Sequence, residues 1–166
     1  MKYAAARPLI KSGDLLAFSH GSFHSWREFK TLMVRVFTRS TYSHVGVAWV
    51  AANRVFVLEA VKPCTRIFPL SLSGDFYLLP MKAPWYPETE EFALRNIGVT
   101  YSEMKAILAY LQPLAKGDMS ECAAYVREVM KVDGIDLGDK SRPDAVVSAA
   151  QELGAELLWI DNGGNE

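Results

Sequence analysis

Residues 42–61, YSHVGVAWVAANRVFVLEAV, decide how this chain folds. Valine and aromatic residues dominate two runs, 43–50 and 54–61, and Ala51, Ala52 and Asn53 lie between them, so the stretch reads as a β-hairpin. Side chains alternate across a strand, which sends Val45, Val47 and Trp49 to one face and His44, Gly46 and Ala48 to the other. The small Gly46 and Ala48 leave room beside His44 for a neighbouring element. A two-residue loop at 51–52 sets His44 directly opposite Glu59, and a loop at 52–53 makes them diagonal neighbours on the same face. The two cases put the Cβ atoms about 4.5–5.5 Å or about 7–8 Å apart, both within side-chain reach. A three-residue loop separates the pair onto opposite faces. Glu59 stands inside the apolar run VFVLEAV, where a carboxylate needs either solvent or a partner. Beside an imidazole it would hold the ring's tautomer and favour its protonated form.

Outward from the hairpin, Gly13-Asp14 opens a short apolar strand over 15–18. Trp26, Phe29, Met33 and Phe37 recur at helical spacing over 25–37, with Ser25 as N-cap and Glu28 three residues on. Two short strands follow near 65–70 and 75–79. The prolines of KAPWYPETEE then end regular structure. Beyond them the pattern is mostly helical. A short helix spans 88–96, and Thr100-x-x-Glu103 is a capping box for a helix that runs to Gln112 and stops at Pro113. Asp118-x-x-Glu121 repeats the pattern ahead of Cys122. Pro143 suits the first turn of a helix over 143–153 that ends at Gly154, and residues 155–160 form a last strand. The fold class is α+β, with an antiparallel sheet from the first half packed against helices from the second, in a single domain over 1–166.

Composition narrows the functional classes. A formal net charge of −1, with 50% hydrophobic and 22% charged residues, describes a globular protein with no general surface for nucleic acid or anionic membrane. The basic residues Arg27, Lys30, Arg35 and Arg39 read as a solvated helix face. No run approaches the length of a membrane span, so no stable membrane insertion is expected. Arg7, Pro8, Lys11 and Asp14 interrupt the apolar core a signal peptide would need, so the protein is expected to be cytoplasmic as synthesised. Cys64 and Cys122 do not make a disulfide framework, though one bridge between them is not excluded.

Cys122 in SECAAYVREVM completes a set of three residue types, in the chain order His, Glu, Cys. With either Asp118 or Ser120 as N-cap it lies in a first helical turn, which favours the thiolate; the adjacent Glu121 opposes it. A thiol, an imidazole base and a group that orients the base are the parts of a cysteine hydrolase. The backbone N–H of Cys122 could stabilise an oxyanion. Each residue also has a plainer reading. A cysteine in an alanine-rich helix is commonly a small buried hydrophobe, and a strand histidine is commonly a hydrogen-bonded structural residue.

GDLLAF, SHVGVAWV and VFVLEAV followed much later by a cysteine-initiated helix resemble the circularly permuted branch of the NlpC-type papain-like superfamily, close to YiiX-like proteins and related to lecithin-retinol-acyltransferase-like proteins. The resemblance implies a permuted papain-like sheet or small barrel packed against helices, with Cys122 as nucleophile, His44 as base and Glu59 as orienting residue. Gly98-Val99-Thr100-Tyr101 is similar to the family's Gly-x-x-Tyr element, with Ser102 where an acidic residue is common, and Pro143-Asp144 echoes its Pro-Asp segment. Tyr101, Tyr42 and Ser43 become candidate substrate contacts. The implied activity is that of a peptidase or amidase acting on a cell-wall peptide, with a lipid ester or other acyl compound as the next substrate class, and without a cofactor or metal. With no signal peptide, a phage-encoded or otherwise delivered enzyme fits better than a simple secreted one. An acyltransferase on the same scaffold and a catalytically silent binding or virion-structural module are the alternatives.

Other candidates carry less. His20 and His24 lie four apart but in a loop-like segment with no nearby cysteine or carboxylate in a ligand pattern. Cys64 follows Pro63 at a turn and reads as incidental. Trp85 and Tyr86 fit either a substrate groove or a lid over the core.

Overall fold

A computed structural model describes residues 1–19, 41–100, 103, 120–140 and 142–163. The predicted helices over 25–37 and 104–112 and the residues His20, His24, Tyr101 and Asp118 lie outside that set. In chain order the elements are α1 (Tyr3–Ala6), a 3-10 turn, β1 (Leu15–Ser19), β2 (Tyr42–Ala51), β3 (Arg54–Ala60), β4 (Thr65–Pro69), a second 3-10 turn, β5 (Phe76–Leu79), α2 (Pro87–Arg95), α3 (Glu121–Val132), α4 (Pro143–Glu152) and β6 (Leu158–Ile160). The strands form one sheet in the order β4-β3-β2-β1-β5-β6, every neighbouring pair antiparallel. The fold is α+β, and among the described residues the strands make an open sheet with β4 and β6 outermost, not a closed small barrel.

Period-two alternation explains the two cores. Leu15, Ala17, Val45, Val47, Leu58, Ala60 and Leu79 face the cluster filled by α3 and α4, with Ala93 of α2. Leu16, Phe18, Ala48, Val55, Val57, Phe76, Leu78 and Ile160 form a second cluster with Ala6, Ile10 and Leu70 on the other face. Among the described residues, helices from the second half therefore cover one face. The opposite face is closed by the N-terminal segment, which the sequence pattern did not show. Strand β6, from the far end of the chain, extends the sheet and is shorter than the expected 155–160.

The Gly13-Asp14 pair pins β1 in place. Gly13, at φ +91°, donates to the Ala48 carbonyl, and Ala48 N–H donates back to the Asp14 carbonyl. The buried Asp14 carboxylate accepts the N–H groups of Lys11 at 2.8 Å and Met81 at 3.1 Å. One side chain thus ties the entry to β1 to the exit of β5.

The hairpin turn is Ala52-Asn53, both in the left-handed region at φ 48° and 59°, as a two-residue turn of the type I′ class requires. Pairing runs from Ala51↔Arg54 to Val47↔Leu58. Gly46 does not hold space for a separate element: a Cβ there would lie 2.5 Å from Val57 Cγ2 and 3.0 Å from the Leu58 carbonyl oxygen. Strand β3 itself fills the gap. Gly46→Ala should therefore destabilise the protein by about 1–3 kcal/mol in urea denaturation, because the backbone oxygen has to move. An unchanged midpoint would mean the strands do not approach this closely.

Candidate active site

The turn at 52–53 makes His44 and Glu59 diagonal neighbours, and their side chains close the distance. His44 Nε2 lies 2.7 Å from Glu59 Oε2, with the two side chains 1% and 0% exposed. Burying a carboxylate this completely is costly unless every oxygen is satisfied. The second oxygen is taken from the other side. Arg66, directly opposite Glu59 in the β3–β4 register, places Nε and Nη2 each 2.7 Å from Oε1. Its guanidinium lies over the Phe68 ring at 4.7 Å, and its side chain is 39% exposed.

A β-bulge sets the direction of His44. Phe18 pairs with His44 but Ser19 pairs with Tyr42, so Ser43 is an extra residue on β2. The Ser43 hydroxyl donates to the Phe18 carbonyl at 3.1 Å. Past the bulge the alternation inverts. His44 sits beside the Phe18 ring (centroids 5.7 Å), whereas Tyr42 packs edge-on against Tyr77 (5.4 Å) and the larger core. Of the predicted substrate contacts, then, Ser43 is committed to the sheet and Tyr42 is half-buried.

The β2–β3 ladder stops at Val47↔Leu58 although both strands continue, and the first turn of α3 meets the sheet where they part. Ser120, with extended φ −85° and ψ 121°, is the N-cap of α3, and Cys122 is the second helical residue. Ser120 makes no side-chain cap bond; its hydroxyl lies 2.7 Å from Cys122 Sγ. The Val45 N–H and the His44 ring both act on this sulfur and favour its ionised form. The Cys122 N–H lies in the first turn, where N–H groups have no intrahelical acceptor. Cys122, 4% exposed, thus meets His44 and, through it, Glu59.

Electrostatics follow from this chain of contacts. Burial alone would lower the proton affinity of His44, but the charges and hydrogen bonds of Cys122 and Glu59 outweigh it and raise the pKa to about 10. Burial pushes the Cys122 thiol up, and His44, Ser120 and the Val45 N–H together bring it below its ordinary value. Glu59 is likewise pushed up by burial and held below the usual carboxylate range by His44 and Arg66. The arrangement favours an imidazolium between two anions.

Cys64 and Cys122 are not bridged to each other, and Cys64 sits at an isolated bridge to Thr100. Gly98, at φ +82°, donates to the Thr65 carbonyl, and Thr100 and Glu103 form the predicted capping box in both directions. Asp144 pairs with Arg142 at 2.9 Å. Trp85 lies against the core with Nε1 on Glu90, and Tyr86 is exposed. Among the described residues no group of three or more His, Cys, Asp or Glu is placed to hold a metal, and no helix is long and apolar enough to cross a membrane. Arg66 and the Ser120–sulfur contact were missed in the sequence. The only signal for Arg66 was the need of Glu59 for a partner and an arginine one strand on.

No protein-family model matches the chain, and no curated protein matches it. Among solved structures it is similar to the metalloprotein YiiX from Escherichia coli O157:H7, with TM-score 0.50 and 20% identity over 86% of this chain and 81% of that one. That likeness concerns the fold.

If the sulfur is the main source of the raised proton affinity, Cys122→Ser should bring the His44 pKa down from about 10, read by NMR titration of the imidazole. A group with a raised pKa stabilises the fold fully below its unfolded value of 6.5 and loses that contribution as pH rises through about 10. In Cys122→Ser the loss should still begin near 6.5 but be complete at lower pH. An unmoved His44 titration would leave Glu59 as its only source.

Proposed function

We propose that this chain is a cysteine hydrolase of the permuted papain-like type, cleaving an amide or acyl bond through an acyl-thioester. The observation that carries the reading is the convergence of Cys122, His44 and Glu59 where β2 and β3 part, with the thiol lowered and the imidazole raised in proton affinity. Cys122 thiolate attacks the carbonyl carbon, and the developing oxyanion is met by the Cys122 N–H. His44 gives its proton to the leaving amine or alcohol as the carbon–heteroatom bond breaks. It then takes a proton from the water that attacks the thioester, and the carbon–sulfur bond breaks to release the acid and restore the thiolate–imidazolium pair. Glu59 fixes the ring through Nε2 in both steps. A cell-wall peptide or a related acyl compound is the substrate class implied by the family resemblance, and an acyltransferase differs only in passing the acyl group to an amine or alcohol.

YiiX is described as a metalloprotein; among the described residues of this chain no group of three or more His, Cys, Asp or Glu is placed to hold a metal, and His44 Nε2 is committed to Glu59. A second reading rests on the burial of the thiol, 4% exposed: a binding module that keeps the fold without catalysis.

Incubation with p-nitrophenyl acetate followed by acid quench and mass spectrometry should find acetyl on Cys122. His44→Ala should slow acetylation by about 10²–10⁴-fold, and Cys122→Ser should abolish it at that site. An added amine that captures the acetyl group in preference to water would assign the transferase. A native Cys122 that takes neither acetyl nor iodoacetamide, but is alkylated once unfolded, would sink the hydrolase and support the binding module.

A further inference from the structure

We infer that Arg66 is a positioning residue of this site, supplying from β4 the positive charge that allows the Glu59 carboxylate, the His44 imidazolium and the Cys122 thiolate to be buried together. The inference rests on the hydrolase reading and extends it to a residue that touches neither substrate nor sulfur.

Geometry comes first. Arg66 Nε and Nη2 are both 2.7 Å from Oε1, the oxygen that His44 does not use. The Phe68 ring at 4.7 Å supports the guanidinium, so its placement is built rather than incidental. The charge count then decides its role. A thiolate, an imidazolium and a carboxylate carry a net charge of minus one, and a buried uncompensated charge is strongly disfavoured. Arg66 brings the set to neutrality.

The groups facing Glu59 come from each neighbouring element. They are His44 on β2, Arg66 on β4 and, through His44, Cys122 on α3, where Glu121 and Glu128 are also buried. Without Arg66 the set regains neutrality by binding one proton. Glu59 keeps its contact with the imidazolium at 2.7 Å, so the sulfur, the more basic of the two anions, takes the proton. An arginine that merely joined β3 to β4 would change stability and leave the thiol alone.

The test reads the thiolate directly, by its ultraviolet absorbance against pH in the full chain, with Cys122→Ser subtracted. Arg66→Met should raise the Cys122 midpoint by about half a pH unit, less than the loss of an adjacent charge would give, because Arg66 acts through Glu59 and His44. Arg66→Lys should return most of the shift. Arg66→Gln, which keeps a donor for Oε1, should behave as Arg66→Met does, and serves if that variant does not fold. A depressed midpoint that neither neutral variant moves overturns the role of Arg66 alone. An ordinary thiol midpoint in the unaltered protein overturns the nucleophile reading and this role with it.

Discussion

The constraint on which this structure depends is the burial of one carboxylate. Glu59 is 0% exposed in the middle of a sheet, where an unpaired charge would cost several kcal/mol. Two cationic side chains from the flanking strands remove that cost, His44 from β2 on one oxygen and Arg66 from β4 on the other. Three strands are thereby locked in register. A slip of one residue would turn Glu59 to the opposite face and leave both partners behind. The same contacts bear on the chemistry, because Cys122 and the ionised Glu59 together keep the imidazole between them protonated.

The site itself forms where regular pairing ends. Past Val47↔Leu58 the two strands no longer pair, and the Val45 N–H turns to the sulfur of Cys122. The bulge at Ser43 aims His44 beside Phe18 and away from the face that carries Tyr42. Gly46 lets β3 come close enough for Glu59 to reach the ring. Ser120 contributes by giving up its usual capping bond for a contact with sulfur. Each of these departures from ideal geometry sits within a few residues of Cys122, His44 or Glu59. Strained or irregular backbone gathered in one place is what a functional site leads one to expect.

Much of this was legible in the chain. Alternation fixed the strands and their faces, and of the two allowed turn positions the one at 52–53 is present, with Asn53 accepting its positive φ readily. Capping signals at Thr100 and Pro143 correspond to observed contacts and helix starts. Other features were not. The sequence pattern put helices on one side of the sheet, but it gave no sign that residues 3–10 close the other. It read Gly46 as room for a neighbouring element without showing that β3 itself takes that room. Ser120, one of the two N-cap candidates, is the N-cap of α3, but a sequence cannot say that its hydroxyl turns to the Cys122 sulfur instead of a backbone N–H.

By itself the sequence determined which residues share a face within each strand of the hairpin; the observed two-residue turn then put His44 and Glu59 on the same one. That information is local, carried by the two-residue period of the strand. Only the tertiary structure decided that Arg66 closes the other side of Glu59 and that the first turn of α3 brings Cys122 to His44. Those meetings depend on the register of a third strand and on how a distant helix packs against the sheet. Both are set by the summed burial of many apolar side chains in the two cores, and no short stretch of chain contains them.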